Sequence, residues 1–366
     1  MAGVSTAQVL AWRMDRQFLT EPAAGAVEVA DRLCGVQAQV ASSADLAVAV
    51  RLGRPARDEV AAGLGEERSL VRMWSVRGTL HLLTARQAAL QCAVLGAQRT
   101  WDRPVWYRAA GVTKAEMEAL LAAVDELLTT RPHTREELAV ELTARVGDHF
   151  GEALRSGWGS MLKPAAYAGL LCHGPPNGTR VTFTSPSAVF ADWRPVDPEE
   201  AGPRLVLDYL GTYGPASRDD FIAWLSRGVR ARPVTAWFTG LLADGAITEV
   251  DVDGAPAYAA TEHLDELLAT APARGVRLLG PFDQYVIAVN RGVIPAEHKA
   301  KVSRTAGWIS AVVLHEGRVA GVWSVDRGTL TAELFEKVPR RALDAEVNRV
   351  AALTGADVPA VELTGP

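Results

Sequence analysis

The chain is poor in cysteine. Cys34, Cys92 and Cys172 are the only three in 366 residues, and an odd number at wide spacing supports neither a disulfide framework nor a zinc site. Long apolar runs are also missing: no stretch approaches the ~20 residues a membrane-spanning helix needs. The N-terminal MAGVSTAQVLAWRMDRQ has no basic-then-apolar leader pattern and reads as the first helix of the fold. These absences predict a cytoplasmic protein. Positive charge is not in excess either. A formal net charge of −5 and a pI near 5.9 argue against bulk electrostatic grip on nucleic acid, although a locally cationic groove stays open.

Chemical signatures are equally sparse. There is no G-x-x-x-x-G-K-[ST] phosphate loop, no strand–G-x-G-x-x-G–helix unit, and no H-E-x-x-H, C-x-x-C or G-x-S-x-G. The seven histidines, His81, His133, His149, His173, His263, His298 and His315, are scattered without ligand spacing. No metal and no cofactor are expected.

What is present is a folded chain, 48% hydrophobic and 22% charged, long enough for two to four compact units. One order of elements recurs along it. KAEMEALLAAVDELL at 114–128 has helical spacing. PHTREELAVEL opens a second helix through a capping box at Thr134 and Glu137, and a third helical stretch runs through about 150–169. LLCHGPPNGTRVTFTS then reads as a hairpin turning at Pro-Asn-Gly. Three helices and a hairpin are the order of a winged helix-turn-helix. A helix at 199–212, a second capped by Ser217 and Asp220, a third near Pro233 and a hairpin turning at Asp253-Gly254 repeat it. Helices near 5–19, 25–35 and 44–64 followed by VRMWSVRGTLHLLT, turning near Arg77-Gly78, make an earlier copy. The last hundred residues alternate apolar and polar, with turns at Glu316-Gly317 and Arg327-Gly328, and end in a helix near 340–354. The expected fold is α+β: winged units at 1–112, 113–196 and 197–266, and a β-rich module at 267–366, around a concave DNA channel.

Gln37-Ala38-Gln39 falls between the second and third helices of the first unit, the connection that lies near DNA in such motifs. Two carboxamides one residue apart are either cap or solvent-facing groups, or a neutral hydrogen-bonding pair. In extended chain, residues i and i+2 point to the same side, so both amides can face one groove while Ala38 turns inward. Three basic clusters are candidates for phosphate contact. Arg77, Thr79 and His81 lie on the first hairpin; Arg227, Arg230 and Arg232 precede the third helix of the third unit. Lys299, Lys301 and Arg304 follow Asn290 and Arg291 in the C-terminal module. Lys163 and Arg180, near the third helix and wing of the second unit, are further candidates. A solvated basic face explains any one cluster as well. Trp74, Trp308 and Trp323 occupy alternating strand positions and read as core.

The chain resembles the HTH_42 superfamily of bacterial DNA glycosylases, and within it the AlkZ-type branch that protects azinomycin B producers. The marks are the Q-aliphatic-Q motif at 37–39, RGTLH at 77–81, LLGPFDQYV at 278–286 and GWISAVVLHEGRVAGVWS at 308–325. In register over essentially the whole chain they are specific. The resemblance implies hydrolysis of the N-glycosidic bond of N7-alkylated purines in double-stranded DNA, including unhooking of azinomycin-type interstrand crosslinks. It places the catalytic positions on Gln37 and Gln39. A sister branch carries Asp at the second position and accepts more substrates; Gln39 points to the narrower branch. A base bonded to the opposite strand cannot swing freely into a pocket, so an open channel holding duplex, without a deep nucleobase pocket, is expected, in a monomer.

Two other readings remain: a broad alkylpurine glycosylase without crosslink specialisation, and a non-enzymatic winged-helix protein binding DNA or a drug, since fold alone does not fix function. Three units and a β module on one chain are more than short dimeric regulators carry.

Overall fold

The computed structural model describes residues 2–287, 292–326, 328–355 and 360–366. The fold is α+β, and contacts group the chain into two compact units. One comprises residues 1–60, 206–224 and 235–366; the other comprises 61–205 and 225–234. No helix among the described residues is long and apolar enough to cross a membrane.

In the first unit, helix Thr6–Arg16 starts at a capping box between Ser5 and Gln8. The residues before it, ahead of the helix expected near 5–19, form a strand, Ala2–Val4. It lies parallel to Ile247–Val252, which pairs antiparallel with Ala255–Ala260 across the Asp253-Gly254 turn. Val4, Val9, Trp12, Val250 and Leu267 form the small core beneath. Helices Ala26–Arg32 and Ala41–Leu52 follow. The helix expected over 44–64 ends at Leu52, because the chain turns through Gly53 and Pro55 before resuming at Arg57–Leu64. Helix Pro198–Tyr213 and the capping box of Ser217 with Asp220 stand where the sequence puts them.

The rest of this unit is a five-stranded sheet in the order Val276–Leu279, Ala311–His315, Arg318–Asp326, Thr329–Leu334, Ala360–Thr364. The first four strands are antiparallel neighbours; the last, absent from the sequence reading, joins parallel to Thr329–Leu334. Helix Arg340–Thr354 covers one face, placing Leu343, Val347 and Val350 on Leu278, Val313 and Leu330. The Arg327 position of the second expected turn lies outside the described residues.

The second unit contains the hairpin Val71–Trp74 and Leu80–Leu83. Helix Ala85–Gln98 follows, then Lys114–Leu128 and Arg135–Val146, whose capping boxes are Thr113/Glu116 and Thr134/Glu137. The third helical stretch is shorter than expected, with segments at Gly151–Arg155 and Lys163–Tyr167. Gly159 lies between them at φ +64, and a Cβ there would stand 2.3 Å from the Trp74 ring, so the chain bends to let the indole in. His133–Thr134, Thr182–Thr184 and Cys172–His173 form a small antiparallel sheet.

Candidate active site

The segment before Gln37 is held by its backbone. Helix Ala26–Arg32 stops because Cys34 (φ 50) and Gly35 (φ 102) turn left-handed, and Gly35 N–H closes on the Ala30 carbonyl at 2.8 Å. A helix end leaves carbonyls without partners. Here side chains far along the sequence take two of them and one carbonyl in the turn just beyond. Thr212 Oγ1 donates to Arg32 O at 2.5 Å, Tyr213 Oη to Leu33 O at 2.6 Å, and Gln284 Nε2 to Gly35 O at 2.7 Å.

The segment after Gln39 is held by charge. Helix Ala41–Leu52 carries Arg51, whose side chain is 0% exposed, as is that of Asp283. Both Arg51 terminal nitrogens donate to the Asp283 carboxylate at 2.8 Å, and Nη1 also reaches Ala47 O at 2.8 Å. Asp283 Oδ1 accepts a further bond from Tyr285 N–H at 2.9 Å. A bidentate, fully desolvated pair is geometrically strict. The segment Phe282–Tyr285 therefore fixes both flanks of the Gln37–Gln39 connection, Gln284 on one side and Asp283 through Arg51 on the other. None of Arg51, Thr212, Tyr213, Asp283 and Gln284 was picked out as a site residue. Asp283 and Gln284 lie inside LLGPFDQYV, which was read as a mark of resemblance only. Arg51 looks like one more surface arginine on a helix.

The two amides have different surroundings. Val36–Gln37 is extended, and Ala38 is buried as anticipated. The chain bends at Gln39, so extended geometry does not run through the whole motif. Gln37 is 7% exposed, yet its carboxamide has no hydrogen-bond partner among the described residues. Gln39 is exposed. A carboxamide offers an acceptor oxygen and two donor hydrogens, and Gln37 keeps these within a nearly closed surround.

The proposed DNA contacts separate into groups. Arg77 stands at the hairpin tip with φ 57, next to Gly78. Lys163 comes to the same place: a Cβ on Gly78 would lie 3.2 Å from the Tyr167 hydroxyl and 3.8 Å from the Lys163 ammonium. Lys163 is half-buried without a counter-ion among the described residues, and burial lowers its pKa. Thr79 is half-buried and turns its hydroxyl to Val76 O. His81 requires a correction. It is fully buried; its Nδ1–H donates to Thr79 O at 3.0 Å and its Nε2 accepts from Arg77 Nη2 at 3.3 Å. Desolvation, then the Arg77 charge, push its pKa down to about 3. His81 is a neutral brace under Arg77 and touches no phosphate.

Arg227, Arg230 and Arg232 are exposed, but Arg230 is occupied: its Nη2 donates to Ala97 O at 2.6 Å and its N–H to Gln98 Oε1 at 2.9 Å, at a helix end. Lys301 pairs with Glu333 at 2.5 Å and lies over the Phe335 ring, which neutralises it locally; Lys299 and Arg304 are exposed. Asn290 and Arg291 lie outside the described residues. Arg180 is exposed in the turn before Thr182–Thr184, bridged to Asn177. Trp74 is buried against Phe183 and Trp323 packs on the sheet core, but Trp308 is 42% exposed and meets Phe282 edge-on, contrary to its expected place in the core.

Comparisons with known proteins cover nearly the whole chain. The family model described as DNA glycosylase AlkZ-like matches residues 30–353. A protein of Streptomyces sahachiroi described as an interstrand DNA cross-link repair glycosylase is 44% identical over 361 residues, covering 95% of this chain and 96% of the relative. The solved structure of Streptomyces sahachiroi DNA glycosylase AlkZ superposes with a TM-score of 0.93 at 42% identity, over 100% of both chains.

Proposed function

The chain belongs to the AlkZ-like DNA glycosylase family, an enzyme family that cleaves N-glycosyl bonds, and from that premise we propose that it unhooks interstrand crosslinks by hydrolysing the N-glycosidic bond of N7-alkylated purines. The observation that carries the reading is Gln37, almost enclosed and with no group bonded to its amide among the described residues.

Neutral amides suffice for such a substrate. Alkylation at N7 makes the base cationic, so it departs without a strong general acid. The remaining tasks are to place water near C1′ and to tolerate the positive charge that develops on the sugar. Orientation of a reactant lowers a barrier by up to ~7–11 kcal/mol in well-ordered cases. The Gln37 oxygen accepts from the water and gives the developing cation a partial negative charge, while its NH2 group remains a donor. Gln39, on the exposed side of the bend, is the second amide of the pair. Neither removes a proton efficiently, which restricts the enzyme to activated lesions. Gln39 in place of a carboxylate favours the narrower, crosslink-directed range.

The DNA-holding part of the proposal rests on the repeated order of helices and hairpin, read as winged helices in tandem, and on Arg77 and Lys163 at one hairpin tip. Arg227, Arg232, Arg180, Lys299 and Arg304 are exposed cations with the same proposed role.

The test uses a duplex crosslinked between N7 positions and a 7-methylguanine duplex, with single-turnover release of abasic product measured for wild type, Gln37→Ala and Gln39→Ala. Loss of about 10²-fold or more in each variant, with DNA affinity retained, is expected. Equal release by all three proteins removes the catalytic assignment. Binding without release by any of them favours a non-enzymatic role.

A further inference from the structure

Within the unit of residues 61–205 and 225–234 lies a cavity of about 490 Å³, in the size range of small-molecule sites. Its walls are apolar, formed by Leu64, Leu70, Val71, Leu128, Pro132 and Val189. Thr129 and Thr130 line it too, but their hydroxyls donate to carbonyls of their own helix, Asp125 and Glu126 for the first and Leu127 for the second. His173 Nε2 has no hydrogen-bond partner among the described residues, and the ring is fixed edge-on to Trp74 at 5.7 Å and Phe183 at 5.3 Å. That nitrogen has under 1 Å² of accessible surface, so it lies out of reach of a molecule in the cavity and His173 acts as part of the wall.

The rim is cationic. Arg68 and Arg131 are exposed at it and Arg72 is half-buried. The first two are loosely held: Arg68 Nη1 is 3.4 Å from Ala188 O, and Arg131 Nη1 lies 3.1 Å from Pro132 O and 3.9 Å from Glu137. Among the described residues, no acidic side chain lines the cavity. We propose that this cavity is a binding site for a small apolar carboxylate, distinct from the Gln37 site. The apolar body fills the aliphatic chamber. The carboxylate lies among the guanidinium groups at the rim, whose planar forks match it. A DNA phosphodiester would satisfy the arginines but leave the apolar chamber unfilled, so the chemistry selects an amphipathic small molecule over the nucleic-acid backbone.

Anthracene-9-carboxylate, whose fluorescence reports its surroundings, is titrated into the full-length protein beside the neutral 9-anthracenemethanol. Saturable one-to-one binding of the carboxylate is expected, with the alcohol weaker by about tenfold or more. Val189→Trp, which fills the chamber, and the double change Arg68→Glu/Arg131→Glu should each weaken the carboxylate by about tenfold or more. Ala188→Trp, at an exposed lining position, replaces Val189→Trp if that variant melts early. No saturable binding, equal affinity for the two probes, undiminished binding in the filled variants, or displacement of the probe by undamaged duplex would each overturn the proposal.

Discussion

Gln284 Nε2 donates a 2.7 Å hydrogen bond to the carbonyl of Gly35, two residues before Gln37, so a side chain from the C-terminal third of the chain sets the backbone from which the proposed catalytic amide springs. Replacing Gln284 by Ala leaves that buried carbonyl unsatisfied, at a cost of about 1–3 kcal/mol. The larger effect should be on chemistry, because a displacement near 1 Å at a reacting group reduces rate by about 10²-fold. Single-turnover release by Gln284→Ala should fall by at least about tenfold with DNA affinity unchanged. A rate equal to wild type would show that the bond serves stability alone.

The pair of Arg51 and Asp283 makes a different prediction. Removing one partner strands a buried charge, so Asp283→Ala or Arg51→Met should destabilise the unit by roughly 3–5 kcal/mol. A midpoint lower by on the order of 10 °C in thermal unfolding is expected. The double variant should recover much of that loss, because it removes both charges together. Additive losses in the double variant would show that the two residues are not coupled.

Much of this organisation is legible in the sequence, and what is not has identifiable causes. Capping boxes at Thr134, Ser217 and Ser5 are local, so the helices at 135, 218 and 6 begin at their caps; only the box at Ser5 was not read in advance. Turns at Asp253-Gly254 and Glu316-Gly317 follow from residue type and stand where the patterning puts them. The strands Ala2–Val4 and Ala360–Thr364 were missed because each depends on a partner distant in sequence, Ile247–Val252 and Thr329–Leu334. The break between Gly151–Arg155 and Lys163–Tyr167 depends on where the Trp74 ring lies, which no local pattern shows. The same holds for the site. Gln37 and Gln39 stand out as residue types, whereas the bonds of Gln284 and Asp283 join positions more than 200 apart and are visible only in the fold.

His81 gives the pH dependence of the second unit a sign. Its folded pKa of about 3 is below the ordinary imidazole value, so the unfolded chain binds a proton that the folded one does not. Its contribution to stability is complete above about pH 6.5 and is lost as pH falls from there toward 3, by about 1.4 kcal/mol per pH unit. Burial and the nearby arginines, Arg72 and Arg135, lower His173 in the same direction. Chemical denaturation followed between pH 7 and 4 should show this decline, and His81→Gln should flatten it by about one proton's worth of slope. A slope unchanged by that substitution would mean the histidine takes up its proton inside the folded protein.

Arg77 stands at the hairpin tip and the Lys163 ammonium comes to the adjacent Gly78, although the two are separated by more than eighty positions, and His81 holds the Arg77 guanidinium from below at 3.3 Å. If both cations neutralise phosphates, Arg77→Ala and Lys163→Ala should each weaken binding to crosslinked and undamaged duplex alike. Each should also reduce the slope of log affinity against log salt by about 0.9. Lys163→Arg, which keeps the charge, should restore most of the slope. His81→Gln should lower affinity less than Arg77→Ala, because it loosens the arginine without deleting it. Binding isotherms from about 50 to 200 mM salt check all four variants. Salt slopes equal to wild type in Arg77→Ala and Lys163→Ala would move the DNA contact away from this hairpin, to the exposed Arg227 and Arg232 or to Lys299 and Arg304.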